Sequence, residues 1–181
     1  PMQIEPVARV RSAYPTKFGV PRQPGLADAL VAEVVFEPAY RSADAVRGLE
    51  GFDYVWLLWA FSMNERAGRD GAQAFSPTVR PPVLGGTRRM GVFATRSSFR
   101  PNNLALSCVR LLEVRPETPE GPVLRVAGAD AADGTPVFDV KPYLPYVDAH
   151  PEARAGWTQD VRWPVIERVD VPPQELAKVP E

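Results

Sequence analysis

The sequence has little cysteine and little histidine: Cys108 and His150 are the single representatives of their types among 181 residues. One thiol excludes a disulfide within the chain and favours a reducing compartment. A zinc site needs several sulfur or imidazole ligands at close spacing, so we expect no metal site. A histidine-activated nucleophile would have to use His150, which stands in a turn rich in Pro, Asp and Glu that is typical of a solvated loop.

Long apolar runs are also missing, since no stretch reaches the roughly 18–20 continuous apolar residues of a membrane-spanning helix. The longest candidate is Tyr54–Phe61, and the N-terminal residues lack the pattern of a secretory signal. Neither the glycine-rich dinucleotide fingerprint nor the phosphate-binding loop motif is present, which argues against a Rossmann or P-loop nucleotide site. We therefore expect a soluble, cytoplasmic protein that does not bind membranes.

Acidic residues are absent from two stretches, although the formal net charge is only −1. Residues 71–112 contain six arginines and no acid, residues 6–27 contain four bases and no acid, and 13 acids against 7 bases follow from Glu113 onward. If the two basic segments meet in space, they form a face suited to phosphate groups. If they lie apart, they pair with the acidic half of the chain, and charge alone leaves both possibilities open.

A content of 21 prolines favours strands and loops over helices. The pattern predicts a mainly β, non-Rossmann domain, a small barrel or sandwich of about eight strands with one short helix at Ser42–Leu49. We expect Asp53–Phe61 to be a central strand buried on both faces. The predicted strands are Val7–Arg11, Ala29–Phe36, Asp53–Phe61, Met90–Thr95, Leu104–Val114, Val123–Ala127, Pro136–Val140 and an edge strand at Val161–Val171.

Met90–Ser107 is the most unusual stretch, because a strand leads into a loop crowded with hydrogen-bond donors around Phe99. The loop carries Arg96, Ser97, Ser98, Arg100, Asn102 and Asn103. This density favours a pocket for an anionic ligand, with Phe93 or Phe99 against a flat ring. The alternative is a solvated basic turn.

Gly128–Tyr146 contains a tight-turn signal at Asp133-Gly134, which by itself indicates only a hairpin. Beyond the turn, Asp139, Lys141 and Tyr143 alternate on one face of the next strand, a pattern that suits the mouth of a pocket. Asp130 and Asp133 could accept hydrogen bonds from ribose or amine groups. A third stretch, Lys17–Leu26, is a basic loop stiffened by proline that could reach over such a site or be ordinary surface.

Together these stretches resemble the TsaA/TrmO family of β-barrel tRNA methyltransferases. The resemblance follows the family order over Pro6–Tyr146 and departs from it at Asn102–Ala105, where the family usually has Asn-Pro-Ile-Gly. The matching residues are Pro21–Gly25, Ala45–Glu50, Arg80–Pro82, Leu84–Gly86, Met90–Asn102, Asp133–Pro136 and Lys141–Pro145.

The resemblance implies a barrel over residues 1–150 that binds S-adenosylmethionine and forms a homodimer. It implies methylation of N6 on a threonylcarbamoyladenosine beside the tRNA anticodon. Residues 151–181 would then be an edge strand and tail, truncated before a smaller C-terminal domain. Two alternatives remain open: a non-catalytic RNA-binding barrel, and a methyltransferase acting on another RNA or a small molecule.

The candidate residues fall into three sets. The cofactor-binding candidates are Phe93, Arg96, Ser97, Phe99, Arg100, Asn102, Asn103, Leu104, Asp130, Asp133, Gly134, Thr135 and Pro136. The substrate-binding candidates, facing the anticodon stem-loop, are Lys17, Arg22, Arg80, Arg88, Arg89, Lys141 and Tyr143. The catalytic candidates are Asp133, Asp139 and Tyr143.

Overall fold

A computed structural model describes residues 3–64, 76–159 and 161 of the chain. The edge strand predicted at Val161–Val171 lies outside these residues, apart from Val161. Among the described residues, no helix is long and apolar enough to cross a membrane. The same part of the chain contains no group of three or more His, Cys, Asp or Glu side chains arranged to hold a metal ion.

Six antiparallel strands close into a barrel in the order β1-β2-β7-β6-β3-β8. Two further strands, β4 (Thr78–Val79) and β5 (Met90–Gly91), pair as a separate ribbon. The prediction of a mainly β barrel is confirmed, but the barrel itself has six strands. Its strands are β1 (Ala8–Arg11), β2 (Val31–Phe36), β3 (Tyr54–Ala60), β6 (Leu104–Arg115), β7 (Val123–Ala127) and β8 (Pro136–Pro142).

The core fills the barrel interior with alternate side chains of each strand, as the two-residue period of a strand requires. In β2 the buried positions are Ala32, Val34 and Phe36, and in β3 they are Val55, Leu57 and Trp59. The expectation that β3 is buried on both faces is wrong. Trp56 and Leu58 are only half-buried, because the outward side of β3 faces an open cleft.

The helix predicted at Ser42–Leu49 is instead a pair of 3₁₀ turns, Ala43–Val46 and Leu49–Gly51. Gly48 separates them at φ 87°, a left-handed conformation that a helix interior does not accept. Ser42 makes no capping bond through its side chain. The α-helix of the described chain is α1 (Pro145–Asp148), directly after β8.

The strand predicted at Met90–Thr95 is also shorter than expected, because the chain turns into a 3₁₀ segment at Val92–Ala94 after β5. Both the backbone N–H and the hydroxyl of Thr95 donate to the Val92 carbonyl, at 3.2 and 2.8 Å. These two bonds close the turn after Val92, whose own N–H still donates to the Pro77 carbonyl at 2.9 Å. By contrast, β6 is long, and its register shifts between Leu111 and Glu113.

Ion pairs cover the outer wall of β1, β2, β6 and β7, and we call this group the wall network. Arg11 pairs with Glu33 at 3.1 Å and with Glu120 at 2.7 Å. Arg9 pairs with Glu37 at 2.6 Å. The remaining members are Arg115, which pairs with Glu33 and Glu113, and Arg125, which pairs with Glu113. Exposed pairs contribute only about 0–1 kcal/mol each, but they neutralise this side of the barrel.

Candidate ligand cleft

A cleft with a volume of about 1110 Å³ lies beside β3. This exceeds the roughly 300–1,000 Å³ of a typical small-molecule site. Its floor includes Trp56, Leu58 and Trp59 of β3. Two rim loops, residues 17–24 and residues 93–102, contribute most of the remaining lining, and residues 61–64 after β3 also line it. The strands therefore position the floor, and the loops supply most of the polar groups.

The loop of residues 17–24 is fixed over the cleft by a backbone contact. Gly25 N–H donates to the Gly128 carbonyl at 2.9 Å, and Gly128 N–H donates to the Leu30 carbonyl at 3.2 Å. A Cβ added at Gly128 would lie 3.0 Å from Gly25 N and 3.1 Å from Gly25 Cα, and φ there is +74°. Only glycine allows this approach without strain.

The two basic segments of the sequence meet at this cleft. Arg96 Nη1 donates to Gln23 Oε1 at 2.7 Å, so the two rim loops are in direct contact. The basic side chains that line the cleft are Lys17, Arg22, Arg96 and Arg100. Among the described residues that line it, Asp130 is the only carboxylate. The described lining of the cleft is therefore positively charged with one acidic position, which suits a ligand with several acceptors and one donor group.

Internal hydrogen bonds brace the rim loop at Thr95–Asn103. Arg100 Nη1 donates to the carbonyls of Thr95 and Ser97, at 3.1 and 3.4 Å. Asn103 is buried with φ 53°, and its amide, oriented to donate, reaches the Ser98 and Arg100 carbonyls at 3.2 and 2.9 Å. Arg100 thus serves both the loop and the cleft, whereas the Asn103 side chain serves the loop.

Asp130 stands at the end of a hydrogen-bonded series that begins inside the barrel. Trp59 Nε1 donates to Ser107 Oγ at 2.9 Å, and Ser107 Oγ donates to Asp130 Oδ1 at 2.6 Å. Burial raises the pKa of Asp130, while the Ser107 bond and the charge of Arg96 act in the opposite direction. A carboxylate with this balance of effects is a candidate functional group.

Aromatic rings project into the cleft from both rim loops. Phe18 is 80% exposed and Phe99 is 66% exposed, although both are large apolar side chains. Phe93, from the 3₁₀ segment after β5, also lines the cleft and is exposed. Exposed aromatic faces beside a polar cleft favour a ligand with a flat ring, which would cover them.

The structure brings eight of the thirteen cofactor-binding candidates to the cleft: Phe93, Arg96, Phe99, Arg100, Asn102, Leu104, Asp130 and Thr135. Five do not line it: Ser97, Asn103, Asp133, Gly134 and Pro136. Asp133 accepts the Ser12 N–H at 3.0 Å, and its own N–H donates to the Tyr14 carbonyl at 2.8 Å. These bonds attach the Asp133-Gly134 turn to the chain after β1.

The catalytic candidates Asp139 and Tyr143 also lie outside the cleft. Asp139 is 3.9 Å from Lys141 Nζ and lines a smaller pocket of about 490 Å³ beside Arg47. The Tyr143 ring packs against Tyr54 and Trp56, with centroids 6.1 and 5.9 Å apart. Since Trp56 lines the cleft, the three rings form an aromatic extension of its edge.

The substrate-binding candidates are divided between the cleft and other surfaces. Lys17 and Arg22 line the cleft, whereas Lys141 and Tyr143 lie beyond it on β8 and the residue after it. Arg80, Arg88 and Arg89 belong to the ribbon of β4 and β5 or its connection, and Arg89 Nη1 donates to Thr78 Oγ1 at 2.9 Å.

Sequence reasoning missed the strand residues of the site, chiefly Trp56, Trp59 and Ser107. The aromatic run in β3 was interpreted as core, which is correct for Trp59 but not for the outward side of the strand. A tryptophan and a serine placed to bond between neighbouring strands give no signal in sequence, because the bond depends on the register of β3 against β6.

A closed antiparallel barrel with a basic, aromatic cleft beside one strand defines a β-barrel domain without a Rossmann fold. The chain belongs to the family of the tRNA-methyltransferase O N-terminal domain, which matches residues 9–149. The sequence resemblance to the TsaA/TrmO family is therefore confirmed.

The tRNA (adenine(37)-N6)-methyltransferase of Escherichia coli (strain K12) is 46% identical over 157 residues, covering 87% of this chain and 64% of that protein. A protein of Methanothermobacter thermautotrophicus, named "Probable S-adenosyl-L-methionine-binding protein", is 36% identical and is 94% covered. The crystal structure of TrmO from Pseudomonas aeruginosa has a TM-score of 0.65 and 35% identity, covering 87% of this chain and 62% of that one. The chain thus spans less than two thirds of the E. coli and P. aeruginosa relatives.

Proposed function

We propose that the cleft binds S-adenosylmethionine and that the protein methylates N6 of a tRNA adenosine beside the anticodon. The observation that carries the proposal is the position of Asp130: among the described residues that line the cleft it is the single carboxylate, it is oriented by Ser107, and it stands with four cations. Family membership and the names of the relatives support the same function.

The chemistry of the cleft fits the parts of the methyl donor. Arg96, Arg100 and Asn102 are donors suited to an amino-acid carboxylate. Asp130 is an acceptor suited to an ammonium or a ribose hydroxyl. The exposed rings of Phe18 and Phe99 suit the adenine plane. A cleft of about 1110 Å³ also leaves room for a second nucleoside.

When bound, S-adenosylmethionine supplies an electrophilic methyl group on a sulfonium. The residues of the chain contribute mainly position, because holding two reactants in line supplies much of the rate of a bimolecular transfer. Transfer breaks the bond between the sulfonium and the methyl group, leaves a neutral thioether, and forms the bond from N6 to carbon; N6 then loses one proton to solvent. Among the predicted acids, Asp130 is better placed than Asp133 or Asp139 to accept a hydrogen bond from a bound ligand, since those two do not line the cleft.

We assign tRNA binding to the cationic rim and its aromatic extension. Lys17 and Arg22 are placed to meet phosphates, and Tyr54 and Tyr143 are placed to stack on unpaired bases beside the cleft. A threonylcarbamoyl group on the target adenosine carries a carboxylate, which the excess of arginine in the cleft would favour. Lys141, Arg80, Arg88 and Arg89 remain predicted contacts to the rest of the stem-loop.

Calorimetric titration with S-adenosylmethionine tests donor binding, and the variants Asp130→Asn and Asp139→Asn separate the candidate acids. We expect binding by the wild type, a loss of about 10- to 100-fold in Asp130→Asn, as for a lost bond to a charged group, and little change in Asp139→Asn. A larger loss of affinity in Asp139→Asn than in Asp130→Asn would indicate that the donor binds beside β8.

Transfer of a labelled methyl group to anticodon stem-loops, with and without threonylcarbamoyl modification, tests the substrate. Equal methylation of both RNAs would show that the carboxylate is not recognised. RNA binding without methyl transfer, by a sample that binds the donor, would favour the RNA-binding alternative for this part of the chain. The homodimer implied by the resemblance stays a prediction, which sedimentation of the chain would measure.

A further inference from the structure

The hydrogen bonds from Trp59 to Ser107 and from Ser107 to Asp130 run from the barrel core to the cleft. Trp59 and Ser107 are only 4% and 2% exposed, and they sit on the neighbouring strands β3 and β6. The donor–acceptor distances are 2.9 and 2.6 Å. Both residues are thus held in place by the barrel itself, whereas Asp130 lines the cleft.

The chemistry of the three groups gives this series one direction. An indole N–H can only donate, so Ser107 Oγ must act as the acceptor toward Trp59. A serine hydroxyl has one proton, and that proton is then directed at Asp130 Oδ1. Asp130 therefore receives a hydrogen bond at Oδ1 whenever the series is intact, and this bond favours its ionised form.

We propose that Trp59 and Ser107 are positioning residues that hold Asp130 as an ionised acceptor, with Oδ2 left to bind a donor group of the ligand. This inference rests on the proposed function and deepens it. Asp130 then recognises an N–H or O–H group of S-adenosylmethionine. Two groups of that molecule can supply it: the α-ammonium of the amino-acid part and the hydroxyls of the ribose.

The charges around Asp130 act with the Ser107 bond. Burial raises the pKa of Asp130, whereas the charge of Arg96, from the rim loop, lowers it. Lys17, Arg22 and Arg100 line the same cleft and carry the same sign as Arg96. The packed elements β3 and β6 and the residue before β8 present the uncharged Trp59, Ser107 and Thr135. Loss of the Ser107 bond therefore leaves burial opposed by the backbone hydrogen bond of Asp130 and by the charge of Arg96.

The first test measures the pKa of Asp130 by carboxyl carbon NMR in the wild type and in Ser107→Ala, without any ligand. We expect a higher pKa in Ser107→Ala, and a smaller rise in Trp59→Phe, where the serine keeps its proton but loses its fixed direction. Ser42→Ala is the matched control, because Ser42 makes no side-chain capping bond. An unchanged pKa in a folded Ser107→Ala sample would overturn the proposal.

The second test compares two probes across pH, S-adenosylhomocysteine and 5′-methylthioadenosine, which keeps the ribose but lacks the amino-acid part. In Ser107→Ala we expect the affinity for S-adenosylhomocysteine to fall by about tenfold or more, with the loss on acidification beginning at a higher pH than in the wild type. A loss confined to S-adenosylhomocysteine identifies the ammonium, and an equal loss for both identifies the ribose.

A merely structural role of Ser107 would weaken binding equally at every pH, and that result would contradict the proposal. Wild-type protein that binds neither probe would refute the proposed function, while the NMR comparison would still decide whether the series controls Asp130. Circular dichroism melting curves of Ser107→Ala and Trp59→Phe confirm that each sample is folded at the titration temperature.

Discussion

Gly25 N–H donates to the Gly128 carbonyl over 2.9 Å, and this bond attaches the first rim loop to the residue directly after β7. The contact joins a loop that lines the cleft to the strand that precedes Asp130. The shape of the cleft therefore depends on two glycines that lie outside it.

We predict that Gly128→Ala lowers both stability and donor affinity. A left-handed conformation costs about 1–2 kcal/mol for a residue with a side chain, and the new methyl group would also crowd Gly25. Gly48→Ala is the matched control, since Gly48 has φ +87° with nothing within 4 Å of an added Cβ and does not line the cleft. Urea unfolding should show a loss for both variants, and calorimetry should show weakened donor binding only for Gly128→Ala. Equal donor affinity in the two variants would show that the contact between Gly25 and Gly128 does not affect donor binding.

We predict that Asp130→Asn raises the melting temperature at neutral pH while it weakens donor binding. Burial raises the pKa of Asp130 in the folded protein, so its ionised form opposes folding. The stabilisation from this group is fully present below its unfolded pKa and is lost as the pH rises through its folded pKa. Asparagine removes that dependence and keeps an acceptor for Ser107. The difference in melting temperature between wild type and variant should therefore shrink as the pH falls. A difference that grows as the pH falls would contradict the prediction.

We predict an acid-sensitive contact at Asp148, on α1. The Leu144 N–H and the Trp56 indole N–H both donate to Asp148 Oδ2, at 2.9 and 3.0 Å, and they lower its pKa. Stability from this group is present above the ordinary Asp pKa of about 3.9 and is lost as the pH falls through the lower folded value. The Trp56 indole N–H resonance, assigned with Trp56→Phe, should shift only in that acidic range, and Asp148→Asn should flatten the transition. A shift centred near neutral pH would implicate another group.

We predict that Lys17→Ala and Arg22→Ala weaken binding of the anticodon stem-loop and reduce its dependence on salt. Each phosphate contact that is lost should lower the slope of log affinity against log salt by about 0.7–0.9. Arg11→Ala is the matched control, because Arg11 is already paired with Glu33 and Glu120 in the wall network. Fluorescence anisotropy at several salt concentrations measures all three. A full slope change in Arg11→Ala would place the RNA on the other side of the barrel.

The strands were predictable because each leaves a local pattern. Alternation in Val31–Phe36 and the aromatic run in Tyr54–Ala60 mark strands without reference to their partners. The register between strands leaves no such pattern. The number of strands in the closed barrel, the separate ribbon and the series from Trp59 to Asp130 all depend on register, so none could be derived from the chain alone.

The site was predictable where chemistry is dense along the chain, as at Arg96–Leu104. The site was not predictable where residues of the same type have different roles in the structure. Asp130 and Asp133 are three positions apart with similar neighbours, yet Asp130 lines the cleft and Asp133 accepts the Ser12 N–H. Asn103 looks in sequence like a donor for a ligand, but its left-handed backbone turns its amide into the loop. Such assignments need the tertiary structure.

The wall network has a consequence for how the protein meets a long polyanion. The described part of the chain has an asymmetric charge distribution. One side carries paired arginines, and another carries the cleft cations; the paired arginines are Arg9, Arg11, Arg115 and Arg125. In the field of an RNA such a body experiences a torque before contact, which turns the cleft toward the phosphates. The ion pairs of the wall network therefore affect the encounter rate. They neutralise the charge on their side of the barrel, so the positive charge of the cleft determines the direction from which RNA approaches.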